Sequence, residues 1–149
     1  MATQNLRQQI SEDIIETLQN MYDPQPVLVT REPFEPDRLA ITQFPAILVT
    51  PTNETRELLT MGGSGSGRKQ GNITYTIRGY VRGNDLDKKR NDLIERIEEA
   101  LDSDRYRNKT TSVVMDSQIT GIDIIERLPP LAEIAVTFTV AYNYLRGTA

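Results

Sequence analysis

The sequence has 149 residues, a formal net charge of −4, and neither cysteine nor histidine. The missing cysteine excludes a disulfide framework and a thiolate nucleophile, and the missing histidine excludes serine–histidine hydrolysis and removes the commonest metal ligand. The length fits one domain, residues 1–149, and the negative charge argues against general nucleic-acid binding, which needs a basic surface.

The first third of the chain predicts one helix and two strands. Apolar residues recur at helical spacing until Asp23 and Pro24 end the pattern. A short strand is predicted for residues 26–31 and a longer one for residues 46–58, where Pro51 indicates an edge position or a bulge. The helical stripe consists of Leu6, Ile10, Ile14, Ile15, Leu18 and Tyr22.

A glycine-rich stretch, MGGSGSGRKQGN at residues 61–72, is the segment most similar to a nucleotide-binding loop. Gly62 and Gly67 fit the spacing G-x-x-x-x-G-K-[ST], but Arg68 stands where lysine is required and Lys69 where the Mg²⁺-binding hydroxyl is required. A phosphate loop also opens onto a helix, whereas a strand pattern follows here. The stretch therefore predicts a mobile hairpin loop, and the alternative is a loop that orders on a protein partner. Its candidate partner contacts are Gly62, Gly63, Gly65, Gly67, Arg68 and Lys69.

Residues 73–82 alternate between apolar and polar side chains, which predicts a half-buried strand. The polar face carries Arg78, Tyr80 and Arg82. Such a set can stack on and attract single-stranded nucleic acid, but cross-strand pairing or a subunit contact is favoured, because one aromatic ring among two cations makes a poor stacking platform.

A second amphipathic helix is predicted after the turn RGND, where Asn84 or Asp85 can supply the N-cap. Its apolar stripe consists of Leu86, Leu93, Ile94, Ile97, Ala100 and Leu101. Residues 85–104 contain eight acidic and four basic side chains, so the acidity of the chain is concentrated on this helix and its exit. The two D-x-D pairs in this segment are interpreted as a solvated acidic surface, because the ligand series of a calcium loop is not completed.

The last third predicts a strand region at residues 113–128, broken near Gly121, and a final strand at residues 132–144. Thirteen residues alternate there without interruption, and a strand of this length should extend beyond its own sheet and expose unpaired backbone. Tyr142, Asn143 and Tyr144 are therefore predicted to join subunits.

The order of these elements predicts an α+β domain. We expect a mainly antiparallel sheet with two amphipathic helices packed on one face, a long C-terminal hairpin and a flexible glycine-rich loop. The polar N-terminus lacks the apolar run of a secretory signal, and the longest apolar run, residues 46–49, is too short to cross a membrane. We expect a protein made and kept in a cytoplasm, without membrane contact.

A helical N-terminus followed by the segments FPAILVTP, YTIRGYVRG, DLDKKRNDLIERIEEAL and AEIAVTFTVAYNY resembles the tail terminator proteins of tailed bacteriophages, also called tail completion or neck proteins. The resemblance covers nearly the whole chain. It rests on the order of elements and on the hydrophobic pattern, without a catalytic motif.

The resemblance implies a structural virion protein and not an enzyme, assembled in the host cytoplasm and located in the tail or neck of the virion. It implies a homo-oligomer, usually a hexameric ring, that caps the tube of tail tube protein, ends its polymerisation and offers a surface to the head connector and neck proteins. A sheath protein is a further implied partner, DNA passes through without specific binding, and no cofactor is implied. The alternatives are a head–tail joining or minor tail protein at a neighbouring position, a small α+β module that binds a ligand or peptide, and, more distantly, an unrecognised hydrolase.

Overall fold

The computed structural model describes residues 6–22, 25–58, 68–105, 107 and 114–145. Two helices, α1 (Leu6–Gln19) and α2 (Leu86–Asp102), accompany five strands in this part of the chain. The strands are β1 (Leu28–Thr30), β2 (Ala46–Leu58), β3 (Arg68–Arg82), β4 (Val114–Ile125) and β5 (Leu131–Leu145), and the short 3₁₀ helices Pro36–Arg38 and Ile41–Gln43 lie between β1 and β2. The α+β class is confirmed. Neither described helix has the length and apolar character that crossing a membrane requires.

The strands form one sheet in the order β1-β2-β3-β5-β4. The β1–β2 pair is parallel and the other three pairs are antiparallel. Every residue of β5 has a partner on β3, from Leu131 opposite Arg82 to Leu145 opposite Arg68, and β4 covers the other side of β5 from Glu133 to Tyr142. The prediction that β5 extends beyond its sheet is therefore wrong on the side of β3, which accompanies β5 to its end, whereas residues 143–145 have no partner among the described residues of β4.

Both helices pack on one face of the sheet, which we call the helix face. Its core joins the buried side chains of both helices to alternate residues of the strands, as the two sequence periods predicted. Tyr22 does not belong to this stripe, since its side chain is 75% exposed while Met21 is buried. The shared core consists mainly of Ile10, Ile14, Leu18, Leu93, Ile97, Leu101, Ile73, Tyr75, Ile77, Ile134, Val136, Phe138, Val140 and Tyr142.

The opposite face, which we call the open face, is covered at one end by the loop between β1 and β2. Phe34, Leu39 and Phe44 pack there against a small cluster that includes Leu48 and Tyr80. At the centre of this face, half-buried threonines lie opposite one another, Thr76 with Thr137 and Thr74 with Thr139, and Asp123 is exposed on the same face of β4.

The glycine-rich segment is shorter than predicted, because β3 begins at Arg68 and residues 68–72 are paired with both β2 and β5. Residues 61–67, which contain Gly62, Gly63, Gly65 and Gly67, lie outside the described residues. The prediction that this part is a mobile loop therefore stays a prediction. Gly71 has a packing role, since its backbone lies under the ring of Tyr142.

Replacing Gly71 with alanine should destabilise the fold by roughly 1 to 3 kcal/mol, the usual range for an overpacked site. A Cβ atom at this position would lie 2.5 to 2.7 Å from three atoms of the fully buried Tyr142 side chain. Gly121→Ala is the matched control, because the nearest atoms to its added Cβ belong to Thr137 and lie 3.9 Å away. Urea unfolding of both variants checks this, and equal stabilities would contradict the packing described at Gly71.

Candidate subunit interface

The sequence-predicted site residues on β3 are used by the fold itself. Arg78 Nη1 donates a hydrogen bond to Glu133 Oε2 over 2.8 Å, and Arg127 Nε donates to Glu133 Oε1 over 2.7 Å, so a carboxylate that is 2% exposed sits between two guanidiniums. Tyr80 was predicted on the solvent side but is buried against Phe34, with ring centroids 5.3 Å apart. Burial raises the pKa of Tyr80, and the charge of Glu133 acts in the same direction. The predicted cross-strand pairing is thus confirmed for Arg78, whereas the solvent-facing position of Tyr80 is wrong.

Arg82 is half-buried at the end of β3, beside a groove of about 320 Å³ near the start of α2. Lys89 Nζ donates to the carbonyl oxygen of Arg82 over 3.2 Å. At the start of the helix, Asp85 occupies the N-cap position with a left-handed φ of 53°, and its side chain makes no capping hydrogen bond. Asp87 accepts a hydrogen bond from Arg90, and no group of three or more potential metal ligands occurs among the described residues.

The residues at the end of β5 that were predicted to join subunits, Tyr142, Asn143 and Tyr144, also belong to the sheet of the single copy. Tyr142 is fully buried on the helix face, and its hydroxyl donates to Glu54, which Arg7 Nε also contacts over 2.8 Å. Asn143 is half-buried on the open face, and the side chain of Tyr144 lies outside the described part of the chain, as does that of Arg68, while Lys69 is half-buried. Tyr142 therefore joins β5, β2 and α1 within one copy, and the prediction that it meets a neighbouring subunit is wrong.

Two buried tyrosines on the helix face, Tyr75 and Tyr142, should ionise at a higher pH than an ordinary tyrosine. Burial raises the pKa of Tyr142 to about 12, with the hydrogen bond to Glu54 acting in the same direction, and burial likewise raises the pKa of Tyr75 to about 12 against the opposing hydrogen bond with Ser11. Tyrosine in the unfolded chain ionises near pH 10. The folded state thus holds these two protons more tightly, so the associated stability is complete below pH 10 and is lost as the pH rises towards 12.

A spectrophotometric titration of tyrosinate checks this expectation. Of the six tyrosines in the sequence, Tyr75 and Tyr142 should titrate about two pH units above the value near 10 of tyrosine in an unfolded chain. Tyr75→Phe and Tyr142→Phe should each remove one of the two ionisations near pH 12. A single step near pH 10 in the folded protein would contradict the buried positions.

The free edge of β4 carries the exposed apolar surface that the sequence interpretation missed. β4 is the last strand of the sheet, and Ile122 is 39% exposed, Ile124 56% and Met115 40%. Register shifts interrupt the β4–β5 ladder near both Met115 and Thr120, whereas residues 121–125 pair regularly. Gly121 was interpreted as a break in the strand; it follows a bulge, and the strand continues through it. The sequence did carry one signal of this strand, since apolar Ile122 and Ile124 alternate with Gly121 and Asp123 in the segment GIDII.

The second free edge lies on β2. The three residues of β1 pair with residues 46–48 alone, and no other described strand pairs with the outer side of β2 at residues 49–58. We call this stretch the open lane. Pro51 lies within it and next to a register shift between Pro51 and Asn53, so both parts of the prediction for Pro51, an edge and a bulge, are confirmed.

Each free edge is bordered on the helix face by a groove, and the two grooves differ in charge. The groove between α2 and β4, about 510 Å³, is lined by Glu98 and Asp102 together with Ile119 and Ile122. The groove between α1 and β2, about 420 Å³, is lined by Arg7, Gln8, Ser11, Arg31, Pro51, Asn53, Glu54, Ile73 and Tyr75. We call the first the acidic groove and the second the basic groove, which has two guanidiniums and one carboxylate.

Comparison with known proteins gives no match, either to the protein-family models or to the curated proteins.

Proposed function

We propose that this chain is the structural subunit of a closed ring of identical copies, and that the ring caps a phage tail tube as the resemblance to tail terminator proteins implies. The observation that supports the ring is the edge of β4, where Ile122 and Ile124 are exposed and no other described strand pairs with the outer side of the backbone. A long edge strand with apolar side chains promotes pairing with another chain, and natural proteins cover such edges. The proposed cover is a second copy.

The proposed location is the tail or neck of the virion, with tail tube protein on one side of the ring and head connector proteins on the other. This role needs no catalytic step and no cofactor. A head–tail joining or minor tail protein would use the same subunit contacts, so the tube-capping activity separates these alternatives. A ligand-binding module would not require the edge of β4 to be covered.

Capping of tail tubes tests the proposed function. Purified protein added to the cognate tail tube protein during polymerisation should give shorter tubes with a ring at one end in electron micrographs. An Ile124→Asp variant, which should not form rings, is the matched control. Tubes of unchanged length without terminal rings, from a protein that is itself oligomeric, would refute the capping role while leaving the ring intact.

The ring should bind duplex DNA weakly even at low salt. Tight binding to phosphates needs clustered cations and the release of counterions, whereas residues 85–104 have a net charge of −4 and the centre of the open face carries threonines. We propose that DNA passes such surfaces without being held. Filter binding at low salt checks this, and strong retention that falls steeply with added salt would contradict it.

A further inference from the structure

We propose that the exposed edge of β4 pairs with the open lane of β2 on a second copy, head to tail, so that the sheets of neighbouring copies become continuous. The inference rests on the proposed ring and identifies the surface that receives β4.

Strand direction makes the two edges compatible. β2 is antiparallel to β3, β3 to β5, and β5 to β4, so β4 runs opposite to β2 within one sheet. A rotation that moves one copy along the sheet to the next keeps all strand directions, and the new neighbours β4 and β2 are then antiparallel. Contacts of this heterologous type generate rings when the rotation closes, whereas β4 pairing with β4 of a second copy gives only a two-fold dimer and leaves the open lane unfilled.

The exposed isoleucines of β4 lie on the helix face, the side on which the basic groove borders the open lane. Ile122 lies opposite Val136 and Ile124 opposite Ile134, and both partners belong to the core of the helix face. In a continuous sheet the helix faces of both copies lie on the same side. The isoleucines of one copy then lie beside α1 of the next, at the basic groove, whose lining includes the exposed Pro51 above the buried Ile73 and Tyr75.

The grooves bordering the two edges are complementary in charge. Joining the sheets brings the Glu98 and Asp102 side of one copy towards the Arg7 and Arg31 side of the next. Arg31 Nη1 donates to Gln8 over 3.2 Å, an uncharged acceptor, so its positive charge is available to an approaching carboxylate. Opposite charges across an interface direct which surfaces meet and disfavour like pairing, here of one acidic groove with another.

The open lane is long enough for the regular part of β4. Residues 49–58 span about 33 Å at roughly 3.3 Å per residue, and residues 121–125 need half of that length. β1 pairs with the outer side of β2 at residues 46–48 and ends at Thr30. An incoming β4 would pair with the same side of β2 directly after β1, at residues 49–58.

Cysteine cross-linking tests this pairing, because the natural sequence has no cysteine and each introduced thiol is unique. Gln118→Cys and Asp123→Cys place thiols on β4, and Asn53→Cys and Thr55→Cys place them on the open lane, all at exposed positions. Double variants that combine one position from each strand should give a ladder of covalent multimers with a short bismaleimide. Each single variant should remain monomeric on a denaturing gel, and Glu95→Cys, exposed on α2, should give no ladder when combined with Asn53→Cys.

Three outcomes would overturn the inference. Covalent dimers from the single β4 variants would show two-fold pairing of β4 with β4. An absence of ladders from all four double variants, in a protein that light scattering shows to be oligomeric, would show that the open lane does not receive β4 while the ring remains. A protein that is monomeric under the same conditions would refute the ring and this pairing together.

Discussion

Replacing Arg107 with alanine should lower the free energy of unfolding by about 3 to 5 kcal/mol, because removing one partner leaves the other charge of a buried ion pair uncompensated. Arg107 is fully buried, and its Nε lies 3.3 Å from Oδ2 of Asp13, which is also buried. The same guanidinium donates to the carbonyl oxygen of Leu101 over 3.0 Å and to that of Asp104 over 2.6 Å, and it lies over the ring of Phe138. It therefore connects α1, the end of α2 and β5.

The matched control is Arg105→Ala, two residues earlier. Arg105 also pairs with a carboxylate, Asp116, over 2.6 Å, but its side chain is 60% exposed, and surface pairs of this kind are worth about 0 to 1 kcal/mol. Urea unfolding followed by circular dichroism measures both variants. Equal losses would contradict the burial of the Arg107 pair, and a double variant, Asp13→Leu with Arg107→Met, should recover most of the loss because no charge is then left buried.

Replacing Ile124 with aspartate should abolish assembly while leaving the fold intact. The side chain of Ile124 is 56% exposed in the single copy, so the isolated subunit tolerates a charge there, whereas a carboxylate enclosed between two copies would be costly. We expect each contact between subunits to weaken at least tenfold, which corresponds to about 1.4 kcal/mol. Because a ring contains several such contacts, monomers should predominate at micromolar concentration.

Ile41→Asp is the control for this effect, since Ile41 is 65% exposed on the 3₁₀ helix between β1 and β2 and lines the groove beside Val81 and Lys89, so it belongs to neither edge strand. It should assemble like the unmodified protein. Sedimentation velocity on both variants, with circular dichroism to verify folding, separates the two cases. Intact rings from a folded Ile124→Asp protein would exclude the edge of β4 from the interface.

Local patterns predicted the helices and strands of this protein well. The alternation at residues 73–81 correctly gave the buried side of β3, and that at residues 132–142 gave the buried side of β5, since a period of two reports which face is apolar. The strand at Ala46–Leu58 was predicted with the bounds that the structure has.

The same patterns could not predict which strands lie next to one another in the sheet. Alternation shows which side of a strand is buried but not which strands flank it, so the length of β5 was interpreted as an overhang although β3 accompanies it throughout. Tyr80 is buried by Phe34, which lies 46 positions earlier in the chain, and such long-range packing leaves no local signal. The exposed residues of β4 that we propose as an interface were missed for the same reason, because only the strand order makes β4 an edge.

Light scattering of the unmodified protein across a range of concentrations tests the closed ring most directly. We expect a single species with a mass of about six times the 16.9 kDa chain, present at concentrations where Ile124→Asp is monomeric. A monomer over the whole range, or a two-fold dimer that does not grow further, would contradict the proposal that free sheet edges of identical copies close into a ring.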